Sequence, residues 1–340
     1  MEKRLIKKEA LAGIAKKMAE EFLVWAPVKK EDNVLFVPLE KDVEPFFAYL
    51  NSKNAPKNVF FPHTEVMMKF TRTPEGMALT SEENKADAAV LFGVRPCDAH
   101  SFVLLDMLFD QEKYKDEYYI NKRNNTTVIS LSCVKPPYAT CFCTSVDGEP
   151  VSDIGADILL TDIGGNYLVE FITPKGEKLA KYFGEDKADA AADAKKKEIA
   201  QKAKQAISSR IPAHEVKPIL DNNFEHPIWA TIHGKCLACG TCTYLCPTCH
   251  CFDISDEAKG SDGVRIRSWD SCMFPLFTKE TSGHNPRTSQ KERWRQRVMH
   301  KFKYYVDNFG AIACVGCGRC VMSCPVNLDI RKVIEDISKI

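Results

Sequence analysis

Eight cysteines in two matching runs set out the chemistry open to this chain. Residues 235–247 read KCLACGTCTYLCP and place Cys236, Cys239, Cys242 and Cys246 ahead of Pro247. Residues 313–325 read ACVGCGRCVMSCP and place Cys314, Cys317, Cys320 and Cys324 ahead of Pro325. Each run is C-x2-C-x2-C-x3-C-P. Three thiolates two residues apart wrap one [4Fe–4S] cubane, and the fourth begins a new segment and ligates the other cluster of a pair. Gly240 and Gly318 fit the crowded loops because they lack a Cβ. The spacing therefore assigns Cys236, Cys239, Cys242 and Cys324 to cluster I. It assigns Cys314, Cys317, Cys320 and Cys246 to cluster II. A lone C-x2-C could be a zinc knuckle or a redox dithiol, but two complete runs, each closed by proline, favour iron–sulfur over zinc.

The chain has 15 cysteines, so seven remain. Cys97, Cys133, Cys141 and Cys143 stand in GVRPCD, SLSC and TCFCT. Cys97 and Cys133 each follow a predicted strand, at the strand ends where α/β sheets build their sites, and Cys141 and Cys143 lie in the loop beyond. Four such thiols suit a third [4Fe–4S] cluster or a zinc, with iron–sulfur preferred on ligand softness; the bland alternative is buried free thiols. Cys249, Cys251 and Cys272, in PTCHCF and WDSCMF, make a further candidate metal site only if His250 or His284 supplies a fourth donor. They could equally replace a nominal cluster ligand or pack beside one.

The elements that must position these residues fall into two groups. In the first, short apolar strands and helical stretches alternate, which favours an α/β domain with a partly parallel, mixed sheet. Residues 5–24 have the spacing of an amphipathic helix, with Leu11, Ile14, Ala15, Met18 and Phe22 on one face. Strands are expected at 34–37, 58–61, 89–94, 127–131 and 167–172, the last near a sheet edge. Val43, Phe46, Phe47 and Leu50 have helical spacing, and Asp98 is placed to cap a helix running to Phe109. Residues 185–208 read as a solvated helix whose mixed charges argue against a nucleic-acid arm. That helix, followed by Pro212 and Pro218, closes a first domain at 1–210; the second spans 224–340. Between the cysteine runs, helices are expected, with a basic stretch at Arg287, Lys291, Arg293, Arg295, Arg297, Lys301 and Lys303. Its preferred role is to balance anionic clusters or dock an acidic partner, ahead of nucleic-acid contact. A closing helix carries Leu328, Ile330, Val333, Ile334 and Ile337.

With 47 Lys+Arg against 46 Asp+Glu the formal charge is +1, so no global field points to nucleic acid or membrane. No apolar run approaches the length of a membrane span. The charged N-terminus lacks the apolar core of a secretory signal, and cysteine usage suited to metal suggests the reducing cytoplasm. Neither G-x-G-x-x-G after a strand nor G-x4-G-K-[ST] occurs, so the chain shows no nucleotide-binding fingerprint.

The combination RPCDAHSF, SC, CFC, HPIW, KCLACGTCTYLCPTCHCFD, WDSCMF, SGHNPR and CVGCGRCVMSCPVNLDI resembles the 4Fe–4S dicluster subunits of cytoplasmic anaerobic redox complexes. Relatives of that kind include hydrogenase/sulfur reductase beta subunits and the corresponding dicluster subunit of anaerobic sulfite reductase. The resemblance covers residue 90 onward, and the N-terminal 80 residues match only loosely. It implies an all-α, helical-ferredoxin-like C-terminal domain with two clusters behind the α/β domain, an α+β chain overall. It also implies a non-catalytic electron-transfer subunit beside a flavoprotein that handles NAD(P)H and a catalytic redox subunit of hydrogenase, sulfite or sulfur reductase, or heterodisulfide reductase type. The alternative is a reductase that binds flavin or substrate in the N-terminal domain near Cys97 and Asp98.

Overall fold

A computed structural model describes residues 2–81 and 86–340. Its main layer is a seven-stranded mixed sheet of order β1-β9-β8-β7-β6-β2-β3. The strands are β1 (Lys3–Lys7), β2 (Leu23–Lys30), β3 (Asn33–Pro38), β6 (Ala89–Val94), β7 (Thr126–Leu131), β8 (Ile158–Asp162) and β9 (Asn166–Phe171). The central strands β2, β6, β7 and β8 pair in parallel, and β1, β9 and β3 flank them antiparallel. Every residue of β6, AVLFGV, is buried, as a parallel strand covered on both faces requires. The N-terminal sheet is thus mixed, as the alternation of elements predicts, and β9 lies one strand in from the edge.

Four local expectations are corrected. The amphipathic helix is shorter than 5–24: helix α1 spans Ala10–Met18 and buries Leu11, Ile14, Ala15 and Met18. The apolar residues before and after it enter strands β1 and β2 instead. Residues 58–61 are not a strand; Pro56–Val59 form a 3₁₀ turn, whose N-terminal proline has the fixed φ that a helix start tolerates. Val43, Phe46, Phe47 and Leu50 lie in irregular chain and no helix; Val43, Phe46 and Phe47 pack on the buried apolar clusters, whereas Leu50 is exposed. The helix expected after β6 is present as α2, Pro96–Phe109, but its cap residue is Arg95 and not Asp98. A third helix, α3, spans Glu117–Asn125 and leads into β7, and the solvated helix after the sheet covers Ala190–Gln205.

The C-terminal region is not all-α. Between the cysteine runs, β10 (Phe252–Lys259) and β11 (Asp262–Trp269) form a hairpin. It joins β4 (Thr64–Thr73) and β5 (Gly76–Ser81) in a second sheet of order β10-β11-β4-β5. Arg267 of β11, almost wholly buried, pairs with Glu65 at 2.6 Å and with Asp116. The helical expectation missed the hairpin because its pairing with β4 joins residues distant in sequence. The remaining C-terminal elements are helical. A long helical segment runs from Gln290 to Phe309, with a π-helical stretch at His300–Tyr304. The closing helix Ile330–Ile337 buries Ile330, Val333, Ile334 and Ile337.

Candidate metal centres

The structure brings the two cysteine runs together in exchanged register. Cys236, Cys239 and Cys242 line one cavity with Cys324 from the other run, closed by Met273, Trp294 and Leu328. Cys246 is drawn toward the second run, where the charges of Cys246, Cys314 and Cys317 all act on Cys320. Each run turns through a left-handed glycine, Gly240 and Gly318, into a short helix that carries its third cysteine.

The basic stretch is largely turned inward. Arg293, Arg295, Arg297 and Lys301 are buried, so these side chains do not form a surface for nucleic acid. Arg297 reaches the Cys242 carbonyl at 3.1 Å and the Cys249 sulfur at 3.7 Å. Lys301, in the π-helical stretch, donates to Cys246 Sγ at 3.4 Å, to Thr248 Oγ1 at 3.0 Å and to the Ala313 carbonyl at 2.8 Å. A π-bulge shifts the face a helix presents and recurs at functional sites; here it accompanies the lysine that meets the cysteines. Despite burial, the negative charge of Cys246 holds the Lys301 ammonium above its ordinary pKa. Among the described residues no carboxylate hydrogen-bonds to Arg297 or Lys301, so thiolate charge is what compensates these two cations.

The N-terminal thiols also converge. Cys97, Cys133, Cys141 and Cys143 line a single apolar cavity with Arg95, Pro96, Gly316 and Cys317. Cys97 opens α2 after β6, and Cys133 follows the parallel neighbour β7. With the open solvent at its mouth the cavity spans about 410 Å³ of space free of protein atoms, close to the 380 Å³ measured the same way at Cys236, Cys239, Cys242 and Cys324. Burial pushes the Cys141 and Cys143 thiols up to about 12, so protons would be released on binding iron.

This loop is pressed against the second cysteine run. Phe142 N–H donates to the Gly316 carbonyl at 2.9 Å. A Cβ on Gly316 would lie 2.4 Å from Cys143 N, and one on Gly318 would lie 2.5 Å from Thr140 Oγ1. Both glycines have positive φ, which also disfavours any side chain there. Sequence reading assigned Gly240 and Gly318 to crowding around a cluster; at Gly318 the crowding comes from the N-terminal loop, and at Gly240 from Phe274.

Several buried donors fit anionic groups in these cavities. Arg95 Nε, Trp294 Nε1 and Arg297 Nε are buried and have no hydrogen-bond partner among the described residues. Arg95 and Trp294 line the two cavities, and Arg297 faces cysteines of both runs. Unpartnered buried donors are costly, and the sulfurs of an anionic cluster would accept from them. Among the described residues no three His, Cys, Asp or Glu side chains converge closely enough to share a single metal ion. The thiols ring cavities, a spacing suited to a polynuclear group.

Residues 235–328 match the family described as 4Fe-4S dicluster domain. Over 318 residues the chain is 30% identical to Sulfhydrogenase 2 subunit beta of Pyrococcus furiosus, covering 92% of each chain. The chain belongs to the sulfhydrogenase beta-subunit family. It is an iron–sulfur electron-transfer protein of the 4Fe–4S class. No solved structure matches it significantly. The family match spans both cysteine runs together with the Cys249, Cys251 and Cys272 positions.

Those three cysteines form a string beside Cys246. Cys246 and Cys249 share a proton, held on Cys249, so Cys246 is the sulfur kept as thiolate. The thiol of Cys272 donates to Cys251, which brings Cys251 down to about 6. His250 is committed to the Thr248 carbonyl at 3.2 Å and packs edge-on against His300, and His284 is exposed. Lys57, which sequence reading missed, is buried here with its ammonium 4.1 Å from the Trp269 ring centre. A lysine at the start of a 3₁₀ turn carries no sequence signal of such a role.

Proposed function

We propose that this chain is the electron-transfer iron–sulfur subunit of a hydrogenase-type multi-subunit oxidoreductase. Cys236, Cys239, Cys242 and Cys324 hold one [4Fe–4S] cluster, and Cys314, Cys317, Cys320 and Cys246 hold a second. Cys97, Cys133, Cys141 and Cys143 hold a third. When bound, such clusters supply one-electron redox chemistry, with potentials set by net charge, hydrogen bonds to the sulfurs and exposure. The chain's own residues fix the spacing of these centres, exclude water and place cations beside the sulfurs.

The observation that carries this reading is the shared wall at Cys317. That residue belongs to the second cysteine run and also lines the N-terminal cavity. Cys246 and Cys324 cross between the runs in turn, so the three thiol sets adjoin in series. At one end Cys239 is exposed, beside Leu237 at 66% exposure, which suits a contact with a redox partner. A flavoprotein that handles NAD(P)H and a catalytic redox subunit fit as partners, since the similar Pyrococcus protein is named as part of a sulfhydrogenase. The domains at 1–210 and 224–340 then bring one and two clusters. The cytoplasm is the fitting compartment for so many reduced thiols, and among the described residues no helix is long and apolar enough to cross a membrane.

Anaerobic purification with iron and sulfide analysis tests the reading. Three clusters require about twelve iron and twelve sulfide per chain. About eight iron with one zinc would transfer the N-terminal site to zinc. Absence of inorganic sulfide would overturn the proposal.

A further inference from the structure

The sulfurs of the three thiol sets have unequal hydrogen-bond partners. In the set of Cys236, Cys239, Cys242 and Cys324 the partners are neutral. The Gln290 amide donates to Cys236 Sγ at 3.1 Å, Ala238 N–H to the same sulfur at 3.4 Å and Leu328 N–H to Cys324 Sγ at 3.2 Å. Cys239 Sγ lies 3.3 Å from the Thr241 hydroxyl. In the N-terminal set, Cys133 and Cys141 face carbonyl oxygens, of Lys135 at 3.2 Å and of Cys317 at 3.8 Å. Arg95 lines that cavity with its Nη1 committed to the Leu131 and Ser132 carbonyls at 3.3 and 3.0 Å. The set of Cys314, Cys317, Cys320 and Cys246 differs, because the Lys301 ammonium donates to Cys246 Sγ at 3.4 Å. No other cation among the described residues hydrogen-bonds a proposed ligand sulfur.

Lys301 is held in that position. It is buried, and its other two protons go to Thr248 Oγ1 at 3.0 Å and the Ala313 carbonyl at 2.8 Å, which uses all three donors of an ammonium. Arg297 adds a second buried cation between the two runs, 3.1 Å from the Cys242 carbonyl. Arg319, beside Cys320, is neutralised by its pair with Asp98. Reduction adds one negative charge to a cluster, and positive charge beside a sulfur stabilises that charge and raises the potential. A buried pair is screened far less than an exposed one. Solvent at the exposed Cys239 acts in the same direction, but as mobile dipoles and not as a fixed unit charge on a ligand sulfur.

We propose that the middle cluster, held by Cys314, Cys317, Cys320 and Cys246, has the most positive potential of the three and stores the first electron to enter the chain. This rests on the cluster assignments and series order of the proposed function. One electron passes from a reduced redox partner to the oxidised middle cluster; the partner is oxidised by one, and no bond forms or breaks. The two outer clusters stay oxidised until more electrons arrive. When a second electron reaches one outer cluster, repulsion between the two added charges drives the stored electron toward the other outer cluster. The relay idles with its first electron held between the outer centres and passes current when a second follows.

The test uses the full-length protein, purified anaerobically with its iron and sulfide and poised at stepwise lower potentials with redox mediators. Frozen samples are read by electron paramagnetic resonance. The first signal to appear should be the one altered in Cys246→Ser. If that variant loses the cluster or fails to fold, the wild type supplies the assignment, because the middle cluster adjoins both others and its signal broadens as each of them is reduced. At the potential that half-reduces this centre in the wild type, Lys301→Met should lower the ratio of reduced to oxidised form on the order of tenfold, ~59 mV for one electron. Lys301→Arg, which keeps the charge, should stay close to the wild type. If the first signal belongs to an outer cluster, or if Lys301→Met and Lys301→Arg shift it equally, the store is overturned and the relay stands. Wild-type protein without iron or sulfide would instead sink the relay, and the store with it.

Discussion

Arg319, one residue before the third cysteine of its run, grips Asp98 of helix α2 through two bonds of 2.6 and 2.9 Å. Both side chains are buried. Arg319 also takes the Ser52 carbonyl at 3.1 Å and Asn51 Oδ1 at 2.5 Å. The guanidinium thus ties the second cysteine run to two segments of the N-terminal region. Its charge also acts on Cys97 and Cys317, one from each side of that junction. Removing one member of a buried pair leaves an uncompensated charge. Arg319→Met should lower stability by about 3–5 kcal/mol, read as a fall in the midpoint of anaerobic urea unfolding. A change within about 1 kcal/mol, on the scale of an exposed pair, would show that the junction does not depend on this contact.

Cross-ligation makes an asymmetric prediction. Cys246→Ser should alter the paramagnetic spectrum of the cluster held by Cys314, Cys317 and Cys320. Cys324→Ser should alter the spectrum of the one held by Cys236, Cys239 and Cys242. If each substitution instead affects the cluster of its own run, the ligand sets are wrong.

Lys301 should tune one centre and spare the other. Its ammonium donates to Cys246 Sγ, and a cation beside a ligand sulfur favours the more negative, reduced state. Lys301→Met should therefore shift the cluster sharing Cys246 to a more negative midpoint, by on the order of 60 mV, a tenfold change for one electron. The cluster lined by Trp294 should move much less. Spectroscopic redox titration separates the two, and equal shifts would point to a general structural effect.

Gly316 reports on the seam between the N-terminal loop and the second run. Gly316→Ala places a methyl 2.4 Å from the Cys143 backbone nitrogen, at a φ of +61. The left-handed backbone alone costs about 1–2 kcal/mol, and overpacking adds a similar amount. The variant should lose stability by about 2 kcal/mol or more and should lose iron from the N-terminal site first. Uniform iron loss across all sites would argue against a local seam.

Stability should fall on mild acidification. Burial, and then the charge of Lys301, lowers His300 from 6.5 to about 4. Burial, and then His300, lowers His250 to about 3. Both are neutral in the folded chain, whereas the unfolded chain binds protons below about pH 6.5. The stability these groups allow is complete above about pH 6.5 and declines as pH falls toward about 4. For His300 the loss by pH 4 is at most about 3 kcal/mol. The urea midpoint measured between pH 7 and 4.5 should drop, and His300→Gln should flatten the slope. An unchanged slope in that variant would remove His300 from the account.

Much of the metal chemistry was legible locally, because a cluster loop is a short-range object. Its cysteine spacing, its glycines and its closing proline all lie within about a dozen residues. The alternation that predicted β6, β7 and β9 is local in the same way, as is the amphipathic face of Ile330–Ile337. The helical spacing of Val43, Phe46 and Phe47 misled because an irregular segment can also turn apolar side chains toward a sheet at that interval.

The sequence by itself determined that this is a 4Fe–4S electron-transfer chain: thiolate number and spacing are written in consecutive residues. Only the tertiary structure decided which thiols meet. It set Cys317 in the wall of the N-terminal cavity and placed Cys251 and Cys272 at the two ends of a hairpin that completes its sheet on β4. It also committed Asp98 to Arg319 and not to a helix cap. Each of these contacts joins residues far apart in the chain, where no local period or propensity selects the partner. They follow from burial and charge compensation, which act only once the fold has brought the segments together.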